Sequence, residues 1–162
     1  MHGGGDGALG LSNNIKKTMP IKNYTTRVSA SRSIQEIQDS LVSHGAVGVL
    51  LEYEKGTGRI EALKFMIERG ENKIPFCMPI DWRKFQAVLK KDNVGRWRDE
   101  DYCYRVAWRV VRDWVLSQMA LYETEMVEME QVFLPYMTDI NGVSTLYDRV
   151  IDSNFMLLKD TN

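Results

Sequence analysis

Residues Arg96 to Met126 are the stretch that most limits how this chain folds. Cys103, Ala107, Val110, Val111, Trp114, Leu121 and Tyr122 recur at helical spacing and share one broad sector, which Trp108, Val115 and Met119 extend. A sector this wide needs contacts on two sides, a sheet and a second helix or subunit. Nearly opposite its centre, Arg98, Arg105, Arg109 and Arg112 fall within roughly 60° of one another around the helix axis. Guanidinium groups are forked donors matched to phosphate and carboxylate. The row therefore predicts either an anion-binding face or one half of an ion-paired packing surface.

The helix has room to run to Leu134, where Pro135 stops it. Uninterrupted, it would be roughly 50 Å long, more than a compact domain of 162 residues covers. Either it breaks near Glu123–Thr124 or its far half packs on another copy. The reading adopted is the second, a homo-oligomer.

The preceding half alternates between strand and helix signals. Tyr24 to Ser29 is a polar, β-branched strand candidate. Ser33 and Glu36 form a capping box for a helix carrying Ile34, Ile37 and Leu41, stopped by Gly45 after His44. Val47, Val49, Leu51 and Tyr53 alternate, as do Leu63, Phe65 and Ile67. The Lys55–Gly58 turn between them predicts a β-hairpin. After Gly70–Lys73, Phe76, Met78 and Ile80 share a face, and Pro75 and Pro79 place that strand at a sheet edge. Asp81 caps a short helix with Trp82, Phe85 and Leu89. Asp99, Glu100 and Asp101 suit the positive end of the long helix. A turn at Asp139–Gly142 and a last helix capped by Ser144, with Leu146, Tyr147 and Val150, complete the chain. The expected fold is α+β: a small antiparallel sheet, helices on one face and a long C-terminal helical arm. Residues 1–20 are expected to be a flexible tail and 21–162 one domain, helical from about residue 99. Met19, just before the first strand-like segment, is either the true start or an internal residue following an ordinary disordered arm.

Charge sharpens the functional question. The formal net charge is -1 and the pI about 6.1, which disfavours non-specific coating of nucleic acid. Locally the balance is uneven. Arg83 to Arg112 holds nine Lys/Arg against four Asp/Glu, whereas Asp113 to Asp139 holds six acids and no base. One account pairs the basic half with the acidic half of a neighbour. The other has Arg96, Arg98, Arg105, Arg109 and Arg112, joined by Lys90 and Lys91, grip phosphate. Trp97, between Arg96 and Arg98, suits base stacking beside such contacts, although tryptophans more often serve the core.

No signal for catalysis stands out. His2 lies in the tail, His44 belongs with a helix C-terminus, and no P-loop, HExxH, GxSxG or Cys–His metal spacing occurs. Glu125, Glu128 and Glu130 read as a solvated acidic face, not metal ligands. Cys77 and Cys103 read as buried free thiols, in keeping with a reducing cytoplasm. There is neither a membrane span nor a secretory signal in the apolar pattern. The chain is thus expected to be a non-enzyme without cofactor or membrane partner.

Pro75-Phe76-Cys77-Met78-Pro79, Arg105-Val106-Ala107-Trp108-Arg109 with the following Val110–Trp114, Gln131-Val132-Phe133-Leu134-Pro135-Tyr136 and the His44-Gly45-Ala46 helix end carry a likeness. Over roughly Tyr24 to Ile151 the chain resembles a family of small proteins encoded in bacteriophages and prophages. No activity or site residue comes with that resemblance. It implies a mobile-element protein made in the bacterial host cytoplasm, acting in replication, recombination or counter-defence. Three functions follow as expectations: nucleic-acid binding through the arginine row, sequestration of a nucleotide messenger by the same arginines, or a structural oligomerisation module.

Overall fold

The computed structural model describes residues 19–156 and Lys159. Residues 1–18 of the expected flexible tail, and with them the question of the start at Met19, lie outside the described residues. The elements run α1 (Ala30–Ser43), β1 (Ala46–Tyr53), β2 (Ile60–Arg69), β3 (Asn72–Pro79), α2 (Trp82–Lys91), α3 (Glu100–Glu123), α4 (Met129–Phe133), a 3₁₀ turn (Leu134–Tyr136) and α5 (Leu146–Asp152). The fold is α+β, as its periodicities predict.

The strands form one antiparallel sheet in the order β1-β2-β3. Leu63, Phe65 and Ile67 of β2 and Phe76 and Met78 of β3 are buried on its inner face. Bulges between Ala46 and Gly48 and between Glu52 and Tyr53 shift β1. Val49 and Leu51 therefore pack on the core while Val47 and Tyr53, expected on the same face, stay exposed. The prolines of β3 sit at an edge as predicted. The Pro75 carbonyl points away from β2 and accepts from Thr138 N–H at 2.9 Å, so the donor missing from Pro75 belongs to the outer side.

Helices α1 and α3 pack against each other and cover the inner face, with α2 against α3. Ile34, Ile37 and Leu41 of α1 meet Val106, Ala107, Trp108, Val115 and Met119 of α3 in the core. Phe133 of α4 closes one end, edge-on to the stacked Phe65–Phe76 pair and to Trp114.

Four boundaries differ from the sequence expectation. Tyr24–Ser29 is not a strand. Local turns, Tyr24 N–H to Ile21 and Thr26 N–H to Asn23, use its backbone donors, and Asn23 sits at φ 65°. Helix α1 begins earlier, capped by Ser29, whose hydroxyl accepts from Arg32 N–H. Ser33 is already inside the helix and buried, which frees Glu36 for another task. Helix α5 is capped by Thr145, not Ser144.

The fourth difference concerns the long helix. Asp99 is its N-cap and Thr124 its C-cap, so it is 24 residues long. Glu125 turns left-handed at φ 59°. Its N–H reaches Tyr122 O at 2.9 Å and Met126 N–H reaches Leu121 O at 3.4 Å, the Schellman pattern with a glutamate in the place glycine usually takes. The break at Thr124 removes the length argument for a second copy. It also leaves Arg98 before the helix and Pro135 in a 3₁₀ turn after α4, instead of ending one continuous rod.

Candidate anion-binding site

The five predicted arginines separate into three environments. Arg109 and Arg112 point from α3 toward α1, where Glu36 meets both, at 3.2 Å from Arg109 and 2.5 Å from Arg112. Arg32, one turn before Glu36, joins at 3.1 Å. Arg112 also holds Asp113 at 3.1 Å, and Asp113 accepts from Lys22 and from the Asn23 amide. Burial acts to raise the Glu36 carboxyl, but hydrogen bonds from Arg32 and Arg112 outweigh it and hold the group below the usual carboxylate range. Burial likewise opposes ionisation of Asp113, yet Asn23, Lys22 and Arg112 bring its pKa down to about 2. These two arginines are therefore neutralised within the chain. They fasten α3 to α1 and to the segment that follows Ile21.

Arg98 lies in the turn before α3 with its guanidinium 4.0 Å from the Trp97 ring centre, and the Lys90 ammonium lies 5.4 Å from the same ring. Trp97 is half-buried and packs on the core, with Gln86 and the Cys103 thiol both bonded to its carbonyl. Its ring carries cations on its surface but belongs to the fold.

Arg96 and Arg105 form the third environment. They line one pocket of about 500 Å³ together with Tyr24, Thr25, Thr26, Arg27, Gly95 and Tyr102. Tyr102, capped into the first turn of α3 by Asp99, is its floor. Both guanidiniums sit over that ring, at 5.5 Å for Arg96 and 6.0 Å for Arg105. The Tyr102 hydroxyl donates to Tyr24 O and so ties the third wall, the turn Tyr24–Arg27, to the helix. Gly95, at φ 61°, lets the chain approach this hydroxyl. A Cβ there would stand 2.1 Å from the Tyr102 oxygen. Thr26 Oγ1 accepts from Val28 N–H, leaving its own hydrogen available.

The lining contains no carboxylate. Among the described residues Arg27, Arg98 and Arg105 have no acid within ion-pair distance, while Arg96 has Asp99 at 3.8 Å. Arg27 escapes the sequence reading because its segment reads as a strand; the signal for a turn was Asn23, a residue tolerant of the left-handed region.

Other predicted groups resolve into packing. His44 bonds Ser40 O through Nδ1 and Glu123 through Nε2, at a helix C-terminus as expected. Glu130 is not freely solvated: Arg69 grips both its oxygens, with Glu128 alongside. Cys103 is fully buried and Cys77 half-buried, both free, and burial pushes both thiols up. Among the described residues no Cys, His, Asp or Glu group is arranged to hold a metal ion. No described helix is long and apolar enough to cross a membrane. No known family model, curated protein or solved structure matches this chain.

Proposed function

We propose that the protein is a non-enzymatic nucleic-acid-binding accessory protein of a bacteriophage or prophage, acting in the bacterial cytoplasm. It seats phosphate between Arg27, Arg96 and Arg105. One observation carries this reading. Three arginines line a single pocket without a carboxylate in its wall, although Arg109 and Arg112 next along the helix have found acids in the same chain. Fork-shaped, charge-assisted bonds to phosphate oxygens are the strongest use of such groups. Arg98 and Lys90 beside Trp97 extend the basic surface from Arg96, so a strand seated in the pocket continues along it. Binding of a labelled single-stranded oligonucleotide should weaken steeply with salt, with a log–log slope near -3 for about four phosphate contacts. Salt-independent binding, or no binding to single- or double-stranded DNA, contradicts the proposal.

A pocket of about 500 Å³ also has the size of a small-ligand site, which favours a nucleotide messenger as the second reading. Mass spectrometry of ligands released from purified protein separates the two: a co-purifying nucleotide supports sequestration. The third reading, a homo-oligomer in which these arginines pair with Glu123, Glu125, Glu128 or Glu130 of a second copy, has less support, because Glu123, Glu128 and Glu130 are already engaged by His44 and Arg69 of the same chain.

A further inference from the structure

We infer that the Arg27–Arg96–Arg105 pocket is built for a phosphate monoester, the terminal phosphate of a strand or of a mononucleotide, in preference to an internal phosphodiester. The inference rests on the phosphate-binding reading above and narrows it to one chemical group.

Charge is the first argument. Three arginines line the pocket, and among the described residues the one carboxylate paired with any of them is Asp99, 3.8 Å from Arg96. Asp99 Oδ1 already accepts from Tyr102 N–H. Two positive charges are left uncompensated. A monoester carries about -1.5 to -2 at pH 7, whereas a diester carries one negative charge.

Donor count points the same way. A monoester presents three terminal oxygens and a diester two. The pocket is lined by three arginines, whose guanidiniums carry five N–H donors each, and by Thr25 and Thr26, which add hydroxyls. Since Val28 N–H occupies a lone pair of Thr26 Oγ1, that hydroxyl is oriented to donate.

The lining also offers a base little to stack on. Tyr102 is 4% exposed and has Arg96 and Arg105 set over its ring, so no base stacks on it. Tyr24 is packed against the core and its carbonyl is held by the Tyr102 hydroxyl. The polar groups of the pocket therefore address the charged end of a nucleotide and not its base.

Fluorescence anisotropy on the full chain, using a twelve-nucleotide strand bearing either a 5′-phosphate or a 5′-hydroxyl, tests this directly. The phosphorylated strand should bind at least tenfold tighter at pH 7.5. That preference should shrink severalfold at pH 5.5, where the second phosphate proton returns (pKa about 6). Arg105→Ala and Arg27→Ala should each abolish the preference, and Arg105→Lys should restore part of it. Arg98→Ala should weaken both strands alike. Circular dichroism of each variant identifies one that fails to fold, and Arg27→Ala, on an exposed turn, then carries the test. Equal affinity for the two strands overturns the inference and leaves nucleic-acid binding standing. Calorimetry with adenosine 5′-monophosphate supplies the other arm. Binding of the mononucleotide with no binding of either strand upholds the monoester site and overturns the nucleic-acid reading. Binding of neither overturns both.

Discussion

Two ends of one arginine row have opposite fates. Arg109 and Arg112 face α1, where Glu36 meets both at 2.5 to 3.2 Å, and Arg112 also holds its neighbour on α3, Asp113, at 3.1 Å. One or two turns earlier, Arg105 faces the Tyr24–Arg27 turn, which offers hydroxyls and another arginine but no acid. The side chains are chemically identical and share a helix face. What separates them is the neighbour each turn of α3 meets. A helical stripe therefore does not define a single surface: it is parcelled out among whatever packs along it. At the α1 end the arginines hold the fold. At the other end they are held in place by it, because Lys22 and Asn23 on Asp113 anchor the segment leading into Arg27.

The largest expected effect tests how tightly the pocket end is built. Gly95→Ala places a methyl group 2.1 Å from the Tyr102 hydroxyl, on a backbone at φ 61°. Tyr102 is buried and cannot swing clear, so strain and displacement should together cost about 3 kcal/mol and abolish phosphate binding. Gly142→Ala is the matched control. It has a similar φ of 66° with nothing within 4 Å of the new Cβ, and should cost only about 1 kcal/mol. Thermal melts of the two variants measure the difference. Equal melting temperatures would show that the close approach at Gly95 does not constrain the site.

Acid should attack the paired end first. Asp113 has its pKa lowered from 3.8 to about 2, and Glu36 is lowered as well. Because the folded-state values lie below the unfolded ones, the stabilisation is complete above roughly pH 5 and is lost as pH falls toward 2. Asp113 alone accounts for about 2 kcal/mol over that window. Denaturant midpoints measured from pH 6 to pH 2 should fall through it, and Asp113→Asn should flatten the curve. The pocket has no carboxylate in its lining, so the part of the fall that Asp113→Asn removes belongs to the paired end, and the remainder to the other lowered carboxyls, Glu36, Glu54, Glu130 and Asp148.

How far the sequence reaches follows from the same contrast. Hydrophobic periodicity located β1, β2, β3, α1 and α2, because burial of one face is a local pattern repeated along each element. The caps at Asp81 and Asp99 were legible for the same reason. The break at Thr124 is one of the two options the sequence allows, and nothing local selects it, since Glu125 occupies the left-handed position where glycine would announce it. Ser33 and Glu36 fit a capping box by spacing. Ser29 won the cap, and Glu36 instead became the acid between Arg109 and Arg112. No local rule specifies that pairing, as the partners are more than seventy residues apart. Arg96 and Arg105 were legible as candidates, but Arg27 was not. Its place in the pocket depends on a tertiary contact between Tyr24 and Tyr102 that spans 78 residues.

The smallest effect draws the contrast most directly. Arg109→Ala removes one of three arginines from Glu36, but Arg112 and Arg32 remain, so the carboxylate is not left bare. The loss should be about 1 kcal/mol, the ordinary worth of one charge-assisted bond at a half-buried site. Phosphate affinity should be unchanged, since Arg109 does not line the pocket. Arg105→Ala should give the mirror image, with stability within about 0.5 kcal/mol of the parent and phosphate binding lost. Chemical denaturation and anisotropy on the same two proteins measure both quantities at once. If Arg109→Ala weakened binding as much as Arg105→Ala, the row would act as a single electrostatic surface and its division between fold and ligand would fail. A crossed outcome, one variant altered only in stability and the other only in binding, requires that division, because a uniform charged face responds alike wherever a charge is removed.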